Sequence, residues 1–229
     1  QGSKRFVSHG QFAKWIVVVA VSEAGAPLLA VVDAEDVPAD ARRELTLIDL
    51  TQRAVDLRLD GVEPAHVVEG PAVVDALSDY QLLGALFVAA EATGAAASCL
   101  RTIVDYLTTR RQFDKLIGSY QALKHPSVEI LNQLESARSF IYHAATMVGD
   151  GHLDRDAEIA CRMAKAQACE ALKFAGDRAV QFHGVMGFTW DCDAQLYARR
   201  AQWSQQQFGD AQHHRQVLAD LLLGAVEHA

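Results

Sequence analysis

A mainly α-helical chain with a small antiparallel β part is what the sequence predicts, and two changes of texture predict it. Up to about Gly70 the residues are rich in β-branched types interrupted by turn formers. From Val74 onward, long Ala- and Leu-rich segments carry apolar residues at helical spacing, with Pro126 the only proline. With 229 residues of which 50% are apolar, the chain can bury a substantial core. The expected division is a partial β-domain over residues 1–72 and a helical bundle domain over residues 73–229.

Within the first part, Lys4–Ser8, Trp15–Val21, Leu28–Val32 and the alternating Ala54–Asp60 read as short antiparallel strands. Gly10, Glu23–Pro27, Asp36–Asp40 and Gly61–Pro64 supply the turns. Helices are predicted over Val74–Arg111, Tyr120–Gly149, Asp154–His183, Cys192–Gln207 and Ala211–Val226. Asp154 and Asp210 stand where N-terminal caps are needed, and Gly118, Gly149, Gly184 and Gly209 stand where helices should stop. The broad apolar faces of these helices must be buried against one another, which gives an up-and-down four-helix bundle with a further C-terminal helix.

A formal charge of −8 argues against a nucleic-acid partner, which calls for clustered Lys and Arg. Cys99, Cys161, Cys169 and Cys192 form no C-x-x-C pair, so they are read as reduced and the chain as cytoplasmic. No basic head with an apolar signal core is visible at the N-terminus, and Trp15–Val21 is far shorter than the ~20 residues of a membrane-spanning helix. The sole E-x-x-H is Glu63–His66, next to Pro64 in the β part, so a di-iron bundle is excluded and no metal site is expected. Neither a phosphate-binding P-loop nor a G-x-S-x-G nucleophile elbow is present.

Five segments carry a resemblance. They are G-S-K-R-F-V-S-H-G at Gly2–Gly10; T-T-R-R-Q-F-D-K-L-I-G-S-Y-Q-A-L-K-H at Thr108–His125; and Ala164–Lys165 followed by A-V-Q-F-H-G-V-M-G-F-T-W-D at Ala179–Asp191. L-Y-A-R-R-A at Leu196–Ala201 and F-G-D at Phe208–Asp210, with His213, His214 and Arg215 behind it, complete the set. In this order and spacing the chain resembles the C-terminal half of the acyl-CoA dehydrogenase family, including its bacterial heteromeric subunits of steroid breakdown. The resemblance implies the end of a central β-domain followed by the family's helical bundle, with the family's N-terminal helical domain outside this chain. It also implies FAD as cofactor, an acyl-CoA thioester as substrate, and α,β-dehydrogenation as reaction. The implied partners are a second copy or a related dehydrogenase subunit, and an electron-transfer flavoprotein or similar acceptor.

Carried over residue by residue, the resemblance assigns Phe6 and Ser8 to the strand that lines the flavin; two residues apart, they share one face of a regular strand. An ordinary strand with one core Phe and one exposed Ser has the same pattern. Arg110, Gln112 and Phe113, with Gln121 beyond, match the motif whose guanidinium meets the FAD pyrophosphate, a role suited to a planar, permanently charged fork. A basic helix C-terminus complementing the helix dipole is the alternative for such arginines. Gln181, His183, Gly184 and Gly187 match a loop that offers main-chain amides to a neighbouring subunit's FAD. Two glycines of the family pattern are replaced here, by Val185 and by Asp114, and an acidic group near a pyrophosphate is repulsive.

The family's catalytic glutamate falls at one of two points, which correspond here to Gly84 and Phe208; neither can accept a proton. Glu91, two helical turns past Gly84, is the in-chain candidate for a displaced base, against the competing role of a buried ion pair with an arginine of a neighbouring helix. Two functional readings follow: an active flavin-dependent dehydrogenase with a shifted or donated base, and a non-catalytic partner subunit that contributes FAD contacts and structure.

Overall fold

The computed structural model describes residues 2–149 and 151–224, arranged as two compact units, Gln1–Ser78 and Asp79–Ala229. The mainly α class with small antiparallel sheets is as the sequence predicts.

In the first unit, β1 (Ser3–Ser8), β2 (Trp15–Val21), β3 (Pro27–Asp33), β4 (Arg42–Leu45), β5 (Ala54–Arg58) and β6 (His66–Val68) form two three-stranded antiparallel sheets, ordered β1-β5-β4 and β2-β3-β6. The sequence reading missed β4 and β6. Both are short, and they are held by pairing to β5 and β3 rather than by local pattern. Ile16, Val18, Val32, Val37, Val55 and Leu57 make the core of this unit. The run β2 is apolar at every position, yet Ile16 and Val18 turn inward while Trp15, Val17, Val19 and Val21 remain exposed.

The second unit holds most of α1 (Ala72–Thr109), a two-stranded hairpin of β7 (Arg111–Gln112) and β8 (Lys115–Leu116), and then α2 (Gln121–Met147), α3 (Arg155–His183), α4 (Ala194–Gln206) and α5 (Ala211–Leu223). The helix expected to run to Arg111 stops at Thr109 because the chain turns into the hairpin. The expected end of the last helix at Val226 lies outside the described residues. Asp154 caps α3 by accepting from the Ala157 amide at 2.9 Å, and Asp210 caps α5 by accepting from the His213 amide at 2.8 Å. Gly118 does not stop a helix. It lies in the 3₁₀ turn before α2, where an added Cβ would come within 2.7 Å of the Leu107 carbonyl oxygen.

Alanine and cysteine dominate the buried strip of α3, among them Ala157, Ala160, Cys161, Ala164, Ala168, Cys169, Ala175 and Ala179. Such small side chains let neighbouring helices approach closely, and at Gly176 a Cβ would lie 2.9 Å from Ala198 Cα of α4. The same core takes in Leu82, Leu86, Ala89, Cys99, Ile103 and Leu107 of α1 with Ile130 and Leu134 of α2. By length and composition alone α1 could cross a membrane, with a mean hydropathy of 1.5 in its most apolar stretch. In this fold 39% of that stretch is buried, and the rest, Phe87 among it, is partly or fully exposed.

Candidate functional site

The two motifs of the second unit meet at one end of the bundle. The Arg110 amide still donates to the Tyr106 carbonyl at 2.9 Å, after which the chain leaves α1, and the Ile117 amide closes the excursion by donating to the Arg110 carbonyl at 2.9 Å. Between them Arg111 pairs with Leu116 and Gln112 with Lys115, which leaves a two-residue turn at Phe113 and Asp114. Both turn residues are left-handed, with φ of 53° and 63°. Asp tolerates that conformation better than most residues, so the replacement of the family's glycine by Asp114 keeps the turn. Arg111 Nη2 donates to the Asp114 carbonyl at 3.1 Å and helps to hold it.

Phe113 is 83% exposed at the tip, and Arg110, Gln112 and Gln121 are exposed around it. Among the described residues the Arg110 guanidinium has no partner, so it is not consumed by helix capping or an ion pair.

α3 ends in the second motif. Gly184 caps it with φ 60° and ψ −136°, a main-chain conformation open essentially to glycine alone, and its amide donates to the Gln181 carbonyl. Nothing lies within 4 Å of the point where its Cβ would be, so the Gly184 main chain can be approached from outside. Gly187 is glycine for a different reason from the one expected. It is buried, and a Cβ there would lie 2.3 Å from the Val180 carbonyl oxygen, so it serves packing and not access to a ligand.

His183 also has a scaffold role. It is buried, Nδ1–H donates to the Ala179 carbonyl at 2.7 Å, and its ring stacks on Tyr106 with centroids 4.2 Å apart. That stack joins the end of α3 to α1 one turn before Arg110. Gln181 and Gly184 are thus the exposed parts of the motif, and His183 and Gly187 hold them in place. The sequence reading missed Tyr106, whose role depends on a partner 77 residues away in the chain, since 183 − 106 = 77. It also missed the exposed apolar row Val185, Met186, Phe188 and Trp190 that follows Gly184; Arg199 covers the Trp190 ring at 5.0 Å.

In the first unit, β1 carries an irregularity between Lys4 and Val7, where Phe6 takes φ 54° and its amide donates to Asp56 Oδ1 at 3.1 Å. Hydrogen bonds from Arg43 and from the Phe6 amide hold the Asp56 carboxyl below its ordinary range. Phe6 and Ser8 both face away from the core of this unit while Val7 packs on it, so Phe6 is not the core aromatic of an ordinary strand.

Gly84 and Phe208, the two positions at which the resemblance would place a glutamate, touch each other. A Cβ on Gly84 would lie 2.3 to 2.7 Å from three atoms of the Phe208 ring, so the ring rests directly on the glycine. Tyr80 meets the same ring edge-on, at 5.5 Å between centroids. Glu91 is not the inward-facing carboxylate that the sequence suggested. Its side chain is 45% exposed and forms an ion pair with Arg200 of α4.

The model of the acyl-CoA dehydrogenase C-terminal domain matches residues 82–223. The chain belongs to the acyl-CoA dehydrogenase family. Among curated relatives it is similar to the acyl-CoA dehydrogenase IpdE2 of Mycolicibacterium smegmatis, with 37% identity over 142 residues, covering 61% of this chain and 43% of the relative. Among solved structures it is similar to the ChsE4–ChsE5 complex of Mycobacterium tuberculosis, with a TM-score of 0.83 and 26% identity, covering 96% of this chain and 58% of that one. The fold is also that of glutaryl-coenzyme A dehydrogenase in complex with glutaryl-CoA, with a TM-score of 0.88 and 24% identity over 99% of this chain and 59% of that one. The chain therefore spans less than half the length of this curated relative of the acyl-CoA dehydrogenase family.

For a family that is generally flavin-dependent, the donor set at the bundle end fits a dinucleotide. Arg110 is exposed and unpaired among the described residues, Gly184 leaves its main chain open, and the Gln181 and Gln121 amides stand exposed beside the two motifs. Asp114 is the one unfavourable charge on the hairpin.

Proposed function

We propose that this chain is a subunit of a cytoplasmic, FAD-dependent acyl-CoA dehydrogenase that catalyses α,β-dehydrogenation of an acyl-CoA thioester, working as a homo-oligomer or with a related subunit and passing electrons to an electron-transfer flavoprotein or similar acceptor. The observation that carries this reading is the fastening of the Arg110–Phe113 hairpin and the Gly184 turn to one end of the bundle through the Tyr106–His183 stack. A guanidinium fork for two adjacent phosphates and a glycine main chain open to close approach are what a dinucleotide pyrophosphate requires.

Bound FAD would supply the acceptor for hydride leaving the substrate's Cβ. Arg110 would bind the pyrophosphate, Phe113 and the apolar row from Val185 to Trp190 would shield it from water, and Gln181 and Gln121 would orient the remainder by hydrogen bonds. By the resemblance, Phe6 and Ser8 would face the flavin ring, as an aromatic surface and a hydroxyl donor.

A second reading, in which this chain is a non-catalytic partner subunit and the carboxylate base comes from another chain, has one observation behind it, the Phe208 ring resting on Gly84 at the two positions where the resemblance would place a carboxylate. The names of the relatives themselves do not favour it. The test of the main reading is co-expression of the full-length gene product with its genomic neighbour, followed by visible absorbance. The complex is expected to be yellow and to bleach on addition of an acyl-CoA. Arg110→Ala should weaken FAD binding about 10- to 100-fold, the value of one charge-assisted hydrogen-bonded contact. A complex that is colourless even with added FAD, or undiminished flavin in Arg110→Ala, would refute the assignment.

A further inference from the structure

The turn between α4 and α5 is the most tightly constrained feature that the site described above leaves unexplained. Two successive residues, Phe208 and Gly209, are left-handed, with φ of 54° and 90°. Glycine adopts this at no cost, but a phenylalanine does so only where its surroundings over-determine it.

Those surroundings are buried and polar. Lys165 of α3, wholly buried, donates from Nζ to the Gly209 carbonyl at 2.7 Å and to the Ser204 carbonyl, in the last turn of α4, at 3.0 Å. A cation at that helix terminus also meets the negative end of the helix dipole. His214 of α5, 2% exposed, lies 2.9 Å from the Phe208 carbonyl through Nε2. Since a carbonyl can only accept, Nε2 carries the proton and Nδ1 is left to accept from Arg162 Nη1 at 3.4 Å. Two consecutive carbonyls of the turn are thus each held by a buried side chain from a different helix. The consequence is on the opposite side of the turn, where the Phe208 ring is pressed onto Gly84 and no side chain larger than hydrogen fits beneath it.

We infer that Phe208 limits the size of the acyl group that this subunit's bundle admits, and that Lys165 and His214 are positioning residues that keep its ring over Gly84. The inference rests on the dehydrogenase reading, under which positions 84 and 208 border the thioester's Cα. The ring and the glycine then share one volume, and only withdrawal of the ring enlarges it.

Two measurements on the full-length chain in its complex separate this inference from the reading beneath it. The first needs no activity. In thermal unfolding, Gly84→Ala should lower Tm by roughly 5 °C, because the added methyl must displace a pinned ring. Combined with Lys165→Met, the same substitution should cost clearly less, since a released turn lets the ring move aside; His214→Leu, which removes the donor to the Phe208 carbonyl, provides a second cycle if Lys165→Met does not fold. Strict additivity in both cycles would overturn the positioning role.

The second measurement compares kcat/KM for butyryl-CoA and octanoyl-CoA. Phe208→Ala should shift the ratio toward octanoyl-CoA by about tenfold or more. An active complex with an unchanged ratio overturns the role of Phe208 and leaves the dehydrogenase reading standing. A complex inactive with every thioester overturns both, while the unfolding cycles still decide the positioning role.

Discussion

Acidification from pH 7 to pH 4 probes a group whose surroundings are fully specified. Burial, with the cationic Lys165 and Arg162 beside it, holds His214 down to about 4, against the opposing pull of the Phe208 carbonyl. In the unfolded chain the same imidazole titrates near 6.5. Between these values the unfolded state binds a proton that the folded state refuses, so folding stability falls as the pH falls. The contribution is fully present above about 6.5, is lost progressively down to about 4, and changes no further below that. At 1.36 kcal/mol for each pH unit of that gap, the loss is about 3 kcal/mol. Urea unfolding of the wild type and His214→Gln at pH 7 and pH 4 measures it, with the glutamine amide retaining a donor toward the Phe208 carbonyl. Carboxylates such as Asp56 and Asp79, both held below their ordinary range, contribute equally to the two proteins and cancel in the difference. The wild type should lose about 3 kcal/mol more than the variant over this interval. Parallel losses would show that His214 is not held neutral and that the buried arrangement around Phe208 is wrong.

Gly187→Ala should lower Tm by roughly 5–10 °C, because the new methyl meets the Val180 main chain, which cannot give way as a side chain would. Gly184→Ala should cost about 1–3 kcal/mol through its dihedral angles alone, with no steric neighbour involved, and differential scanning fluorimetry of the two variants checks both. Glu91→Gln removes a half-exposed pair with Arg200, so stability should change by about 0–1 kcal/mol. Turnover of that variant should persist in a flavin-reduction assay, and a loss of a hundredfold or more would restore Glu91 as the base. Burial pushes the Cys99 thiol up to about 12 and Cys161 up to about 11, and it raises Cys169 as well. Iodoacetamide at pH 8 should therefore label only the half-buried Cys192 in the native chain, with the other three reacting after unfolding, as read by peptide mass spectrometry.

The helical part was legible because its signals are local. Apolar spacing, the capping aspartates Asp154 and Asp210, and a glycine at the end of α3 act within one or two turns of themselves, and each lies where the sequence predicts. The motif residues Arg110, Phe113, Gln181 and Gly184 could be singled out for the same reason, since each motif is a short continuous stretch. What escaped the sequence is what depends on a partner. β4 and β6 exist through their pairing to β5 and β3, and the helix before Arg110 ends because a hairpin competes for its last turn.

By itself the sequence determined that this is a bundle protein with a β segment and two motif-bearing helix termini, and that Gly84 and Phe208 stand where the resemblance would place a carboxylate. Only the tertiary structure decided that the two motifs share one bundle end, through the Tyr106–His183 stack, and that Gly187 and His183 are scaffold while Gly184 is open. It identified Arg200 as the arginine of the ion pair that the sequence had offered for Glu91, half-exposed instead of buried, and it alone set the Phe208 ring on Gly84 across 124 residues of chain, since 208 − 84 = 124. The physical reason is that periodicity and capping are properties of neighbouring residues, whereas stacking, ion pairing and the filling of a volume arise only when helices distant in sequence are packed side by side.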